Sequence, residues 1–223
     1  MILARRLAAE FIGSALLLAV VVGSGIMAER LAGGNAAIAL LANSVATGAG
    51  LIALILMLGP ISGAHFNPLV TLAALWFGQL HRRTAMGYVA VQVGGAFAGV
   101  AIAHGMFDMA LFSASQHVRV GPAQWFSEAV ASFGLLGVII GCSRTRPAIT
   151  PFAVAGWIVA AYWFTASTSF ANPAVTLARA ASNTFTGIRL ADTSGFFLGQ
   201  LLGAACAIVL FDWLFTVSTK EAT

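Results

Sequence analysis

The chain has 223 residues, 60% of them hydrophobic and only 8% charged, whereas soluble domains average about 25% charged and 45–50% apolar. Apolar runs of about 20 residues recur along the whole length, which excludes a soluble enzyme and predicts a membrane protein. The net charge of +4 comes from 11 Lys and Arg against 7 Asp and Glu. The basic residues form short clusters between the apolar runs, a membrane-topology pattern that excludes a phosphate-binding face and hence a nucleic-acid partner.

In chain order, the runs predict spans at 7–28, 36–58, 84–104, 125–141, 152–167 and 195–217. Two further apolar stretches, 67–80 and 172–182, are too short to cross. Fourteen helical residues reach about 21 Å against a hydrocarbon core of about 30 Å, so both read as half-helices. Arg5 and Arg6 precede an apolar stretch ending near Gly23, Ser24 and Gly25, which imitates a secretory leader. The length of that run, Glu10 within it and the lack of an A-x-A site favour a first span. Six crossings place both termini on one side. With the termini cytoplasmic, Arg5, Arg6, Arg82, Arg83, Arg144, Arg146 and Lys220 lie inside, and Arg30, Arg119, Arg179 and Arg189 lie outside. Seven against four predicts a multi-pass protein of the cell (inner) membrane with cytoplasmic N- and C-termini.

An internal repeat organises the chain. Residues 67–73 read NPLVTLA and residues 172–178 read NPAVTLA, six of seven positions agreeing. Glu10 and Glu128 each stand early in a span, and Gln92-Val93-Gly94-Gly95-Ala96 matches Gln200-Leu201-Leu202-Gly203-Ala204. The unit is span, span, half-helix, span, used twice, with repeats at about 1–110 and 120–217 of a single transmembrane channel domain, 1–223. Three crossings separate the two Asn-Pro motifs, so they enter from opposite faces, an inverted repeat. The expected fold is all-α, with six transmembrane helices and two re-entrant half-helices.

Asn-Pro opens a helix: Asn is a favoured N-cap, and Pro at the first helical position leaves no N–H unsatisfied. Asn67, Pro68, Asn172 and Pro173 therefore set two half-helix N-termini near the midplane, each carrying about +0.5 charge and an amide donor. That arrangement repels cations and favours neutral hydroxylated solutes. The loops ahead of them, with Gly63, Ala64 and His65 in one and Thr168, Ser169 and Phe170 in the other, line a path with backbone carbonyls, because irregular backbone at this depth must face protein or water. Glu10 and Glu128 are expensive in lipid and are read as acceptors that tie down the loops. Cys142 and Cys206 read as small apolar residues rather than a disulfide, and no metal or cofactor site is expected.

The stretches AEFIGSALLL, SGAHFNPLVTLA, SEAVASF and FANPAVTLA, with the Gln-x-x-Gly pairs, resemble the aquaporin and aquaglyceroporin channels, the major intrinsic proteins. The resemblance implies one pore per protomer in a homotetramer, with Asn67 and Asn172 as the paired pore asparagines. Two positions depart from the family pattern: Leu69 stands where Ala is usual, and Val175 where Arg is usual. Counted from the motifs, the filter positions are Thr47, Ala160, Ser169 and Val175, all small and uncharged. The resemblance then implies a wide pore for water, glycerol-like solutes and metalloids such as arsenite or methylated arsenicals, as in Arg-lacking bacterial members. A secondary transporter with a similar inverted repeat is the alternative, and a junction protein of the same fold a third reading. Fast, non-saturating flux separates a channel from both.

Overall fold

A computed structural model describes residues 2–215, so Lys220 and the end of the sixth expected span lie outside the described residues. Eight α-helices follow in order: α1 (Leu3–Leu31), α2 (Ala36–Ser62), α3 (Pro68–Trp76), α4 (Arg82–Met106), α5 (Pro122–Thr145), α6 (Thr150–Phe164), α7 (Pro173–Arg179) and α8 (Thr193–Phe215). Six apolar segments are long enough to cross a bilayer, one for each of α1, α2, α4, α5, α6 and α8. The two half-helices α3 and α7 have 9 and 7 residues. The fifth span departs from its sequence reading. A 3-10 turn, Pro147–Ile149, leads into α6, and the helix stops at Phe164, leaving 165–167 to begin the re-entrant loop.

Large exposed apolar side chains cover the outside of the bundle, among them Leu41, Trp76, Phe126, Leu198 and Trp213. Polar residues are drawn inward instead: Glu10, Gln92, His104, Glu128 and Gln200 are all fully buried. In lipid the outside already matches its solvent, so packing depends on close backbone approach rather than on apolar burial. Two crossings show how this is done. A Cβ on Gly95 of α4 would lie 2.4 Å from the Phe11 carbonyl oxygen of α1, and one on Gly203 of α8 would lie 2.0 Å from the Ala129 carbonyl oxygen of α5. Only glycine fits at either place. The corresponding helices of each repeat thus cross at the corresponding glycine, α1 on α4 and α5 on α8. The two sets meet through α2 against α6, and both half-helices touch α4 or α8.

Candidate functional site

α2 ends at Gly63, whose φ of 91° turns the chain back into the bundle. The loop that follows is strained in the same way as its counterpart after α6. Ala64 and Phe66 have φ of 50° and 47°, and Ser169 and Ala171 have 51° and 47°. Each left-handed non-glycine residue costs about 1–3 kcal/mol and persists only where its surroundings hold it.

One buried carboxylate holds each loop. Glu10 accepts from the Ser62 hydroxyl at 2.6 Å, the His65 and Phe66 backbone N–H groups at 2.9 and 2.7 Å, and the Gln92 amide at 2.8 Å. Glu128 accepts from the Ser167 hydroxyl at 2.6 Å, the Phe170 and Ala171 N–H groups at 2.8 and 2.9 Å, and the Gln200 amide at 2.6 Å. Gln92 and Gln200 also donate to Thr71 of α3 and Thr176 of α7. Four donors around each carboxylate offset its desolvation, and each bond to an ionised group is stronger than a neutral one.

The two asparagines join the loops to each other. Asn67 Oδ1 accepts from the Leu69 N–H at 2.9 Å, and its amide donates to the Ala171 carbonyl at 2.8 Å. Asn172 Oδ1 accepts from the Ala174 and Val175 N–H groups, and its amide donates to the Phe66 carbonyl at 2.8 Å. Each side chain therefore caps its own half-helix and bridges to the opposite loop. An amide nitrogen carries two hydrogens, so one donor on each asparagine remains beyond these bonds. The Leu69 side chain is 1% exposed and packs with Leu136 and Ile140 of α5.

A cavity of about 120 Å³ runs past both asparagines. Gly63, Ala64, His65, Phe66 and Asn67 line it from one side and Ser169, Phe170, Ala171, Asn172 and Val175 from the other, with Thr47 of α2 between them. Gly63 and His65 also line a second, more open cavity of about 360 Å³ together with Arg6 and Ser62. His65 Nδ1 is 3.1 Å from the Thr71 hydroxyl.

Three sequence readings change here. Ala160 does not line the cavity: it is exposed, on the same outward stripe of α6 as Phe152, Gly156 and Trp163. At 100° per residue it stands about 200° round the helix from Ile158, which lines the cavity with Val154 and Tyr162. The Tyr162 hydroxyl lies 3.3 Å from the Thr47 hydroxyl, so an aromatic group stands beside this constriction. Thr168 is likewise absent from the lining; its hydroxyl accepts from Arg119. The third change adds a charge. Arg179, placed from sequence on the outer side within the short stretch 172–182 and given no part in the pore, lines the cavity one helical turn beyond Val175 and is 2% exposed. The i, i+4 spacing of Val175 and Arg179 on a half-helix was the signal that could have found it.

The sequence profile of the major intrinsic protein family matches residues 1–160. The chain belongs to that family. It is therefore a multi-pass membrane channel of the aquaporin fold and not an enzyme. An aquaglyceroporin, AqpS, of Rhizobium meliloti is 55% identical over 212 residues, covering 95% of this chain and 91% of the relative. The lens fiber major intrinsic protein of Gallus gallus is 31% identical, covering 93% and 80%. A probable glycerol uptake facilitator of Thermotoga maritima is 28% identical, covering 93% and 98%. The crystal structure of the aquaglyceroporin from Plasmodium falciparum superposes with a TM-score of 0.70 at 17% identity, over 99% of this chain and 98% of that one. At that identity the likeness concerns the fold.

Proposed function

We propose that this major intrinsic protein is a passive channel for water and small uncharged hydroxylated solutes, glycerol-like polyols and metalloid hydroxides such as arsenite or methylated arsenicals among them. One observation carries the reading: the cavity passes both asparagines and reaches Val175, where the family usually has Arg. Lining donors and pore width set selectivity in such a path. Here the polar groups include the spare amide hydrogens of Asn67 and Asn172, the side chains of His65 and Arg179, and the hydroxyls of Thr47, Tyr162 and Ser169, the last of which has no hydrogen-bond partner among the described residues. Glycerol-class permeation is further supported by the names of the relatives from Rhizobium meliloti and Thermotoga maritima. A cation-coupled transporter would need a carboxylate on the path, whereas Glu10 and Glu128 are bound to the loops behind it and no Asp or Glu among the described residues lines it. The working unit in this reading is a homotetramer in the inner membrane with cytoplasmic termini.

The test is Val175→Arg in vesicles carrying equal amounts of protein. A second guanidinium on the same face as Arg179 narrows the path, so glycerol permeability is expected to fall much more than water permeability. Equal loss of both, or unchanged glycerol flux, would show that Val175 is not at the constriction.

A further inference from the structure

The α7 end of the cavity carries a charge that passage of neutral solutes does not use. Arg179 is fully enclosed, and its Cζ lies 3.4 Å from the centroid of the Phe170 ring. Its Nε donates to the Thr186 carbonyl. That carbonyl is its sole hydrogen-bond acceptor among the described residues, so four of its five N–H donors are unpaired there. No carboxylate forms an ion pair with it among those residues. Arg119 stacks on the same ring at 5.1 Å, with its side chain directed to the Gly187 and Ser167 carbonyls and the Thr168 hydroxyl. The neighbouring acids are committed elsewhere. Asp192 takes the Arg119 backbone N–H and the Arg189 side chain, and Glu128 takes four donors from its own loop and partners.

Two guanidinium groups on one aromatic ring, beside a cavity that no Asp or Glu among the described residues lines, make this region strongly positive. A buried charge without a counter-ion is costly, and here the protein supplies none. We propose that Arg179 forms a binding site for a small monovalent oxyanion of the carboxylate class, drawn from solution into the α7 end of the pore. With Nε engaged by Thr186, the two terminal nitrogens form a planar pair that matches the two oxygens of a carboxylate. Arg119 behind the ring raises the anion's affinity without touching it. The proposal rests on the channel reading above and adds an ionic ligand to it: an anion held at Arg179 occupies the path and slows neutral solutes.

Glycolate and its uncharged isostere glycolamide separate charge from size. At constant ionic strength and neutral pH, millimolar glycolate is expected to cut glycerol flux through the wild-type protein by half or more, while glycolamide has little effect. Purified wild-type protein should also unfold at higher temperature with glycolate than with glycolamide, a readout that needs no flux. Arg179→Met should abolish both differences and Arg179→Lys should weaken them. Since Arg179→Met removes the bond to Thr186 and could disturb folding, the isostere comparison in the wild type decides. Equal effects of glycolate and glycolamide on flux and on unfolding overturn the anion site. Absent glycerol flux with glycolate-specific stabilisation overturns the channel reading for glycerol and leaves the site standing.

Discussion

Asn172 combines three jobs in one side chain: it caps α7, bridges to the Phe66 carbonyl and leaves one hydrogen beside the cavity. Asn172→Ala removes all three. Loss of the cap alone is expected to cost about 0.5–2 kcal/mol, and the released Phe66 carbonyl frees the opposite loop. Solute flux per inserted protomer should fall clearly below wild type in vesicles; flux at the wild-type level would dissociate Asn172 from the path. This residue was legible in the sequence because N-capping is a local property of Asn followed by Pro. Ala160 was misplaced because its assignment counted twelve residues back across a loop, and α6 turns Ile158 and Tyr162 inward instead. Arg179 was missed for another reason: its spacing from Val175 gives the shared face of α7, but its enclosure is built by Phe170 and by Thr186, seven residues further on, which that spacing does not record.

At the scale of elements, run length and hydropathy were enough to locate the six crossings, and shortness identified the two half-helices. The end of α6 was not legible, because the helix is ended by a contact distant in sequence: beyond Phe164 the backbone is pulled into the loop, where the Ser167 hydroxyl binds Glu128. Helix crossings rest on particular glycines. Gly95→Val would drive its side chain into the Phe11 carbonyl and separate α1 from α4, whereas Gly156 has open space around it. Yield of folded, detergent-stable protein should collapse for Gly95→Val and stay near wild type for Gly156→Ala. Comparable yields would remove close approach as the basis of this crossing. The connection between α4 and α5 lies over the α7 end, with the Ser113 and Ser115 N–H groups bonded to the Ala181 and Ala180 carbonyls and the Arg189 N–H to the His117 carbonyl. Burial first, then the charges of Arg119 and Arg179, hold the His117 imidazole below its usual range. A His with a lowered folded pKa binds fewer protons folded than unfolded, so its contribution is intact above about pH 6.5 and is lost as pH falls below it. Proteolysis within residues 107–121 should therefore quicken on acidification in the wild type and do so less in His117→Gln. An identical pH profile in the two proteins would clear His117 of this role.

On the scale of the whole molecule, the two repeats do not simply lie side by side, because each loop is finished by an asparagine from the other half. Glu10 holds Phe66, whose carbonyl receives Asn172; Glu128 holds Ala171, whose carbonyl receives Asn67. A disturbance of one carboxylate is thereby transmitted across the midplane through two hydrogen bonds. Glu10→Gln and Glu128→Gln each replace one acceptor oxygen with an NH₂ facing backbone donors, and leaving such buried donors unsatisfied costs about 1–3 kcal/mol. Because the loops are in direct contact, the double variant should depart from the sum of the singles by about 0.5–3 kcal/mol, the range found for coupled neighbours. The departure should make the double variant less destabilised than that sum, since the first loop to loosen already gives up the bonds that the second would lose. Unfolding by SDS titration in mixed micelles measures all four proteins on one scale. Additivity to within about 0.3–0.5 kcal/mol, the behaviour of distant sites, would mean that each loop is held by its own half alone and that the asparagine bridges carry no energetic coupling between the repeats.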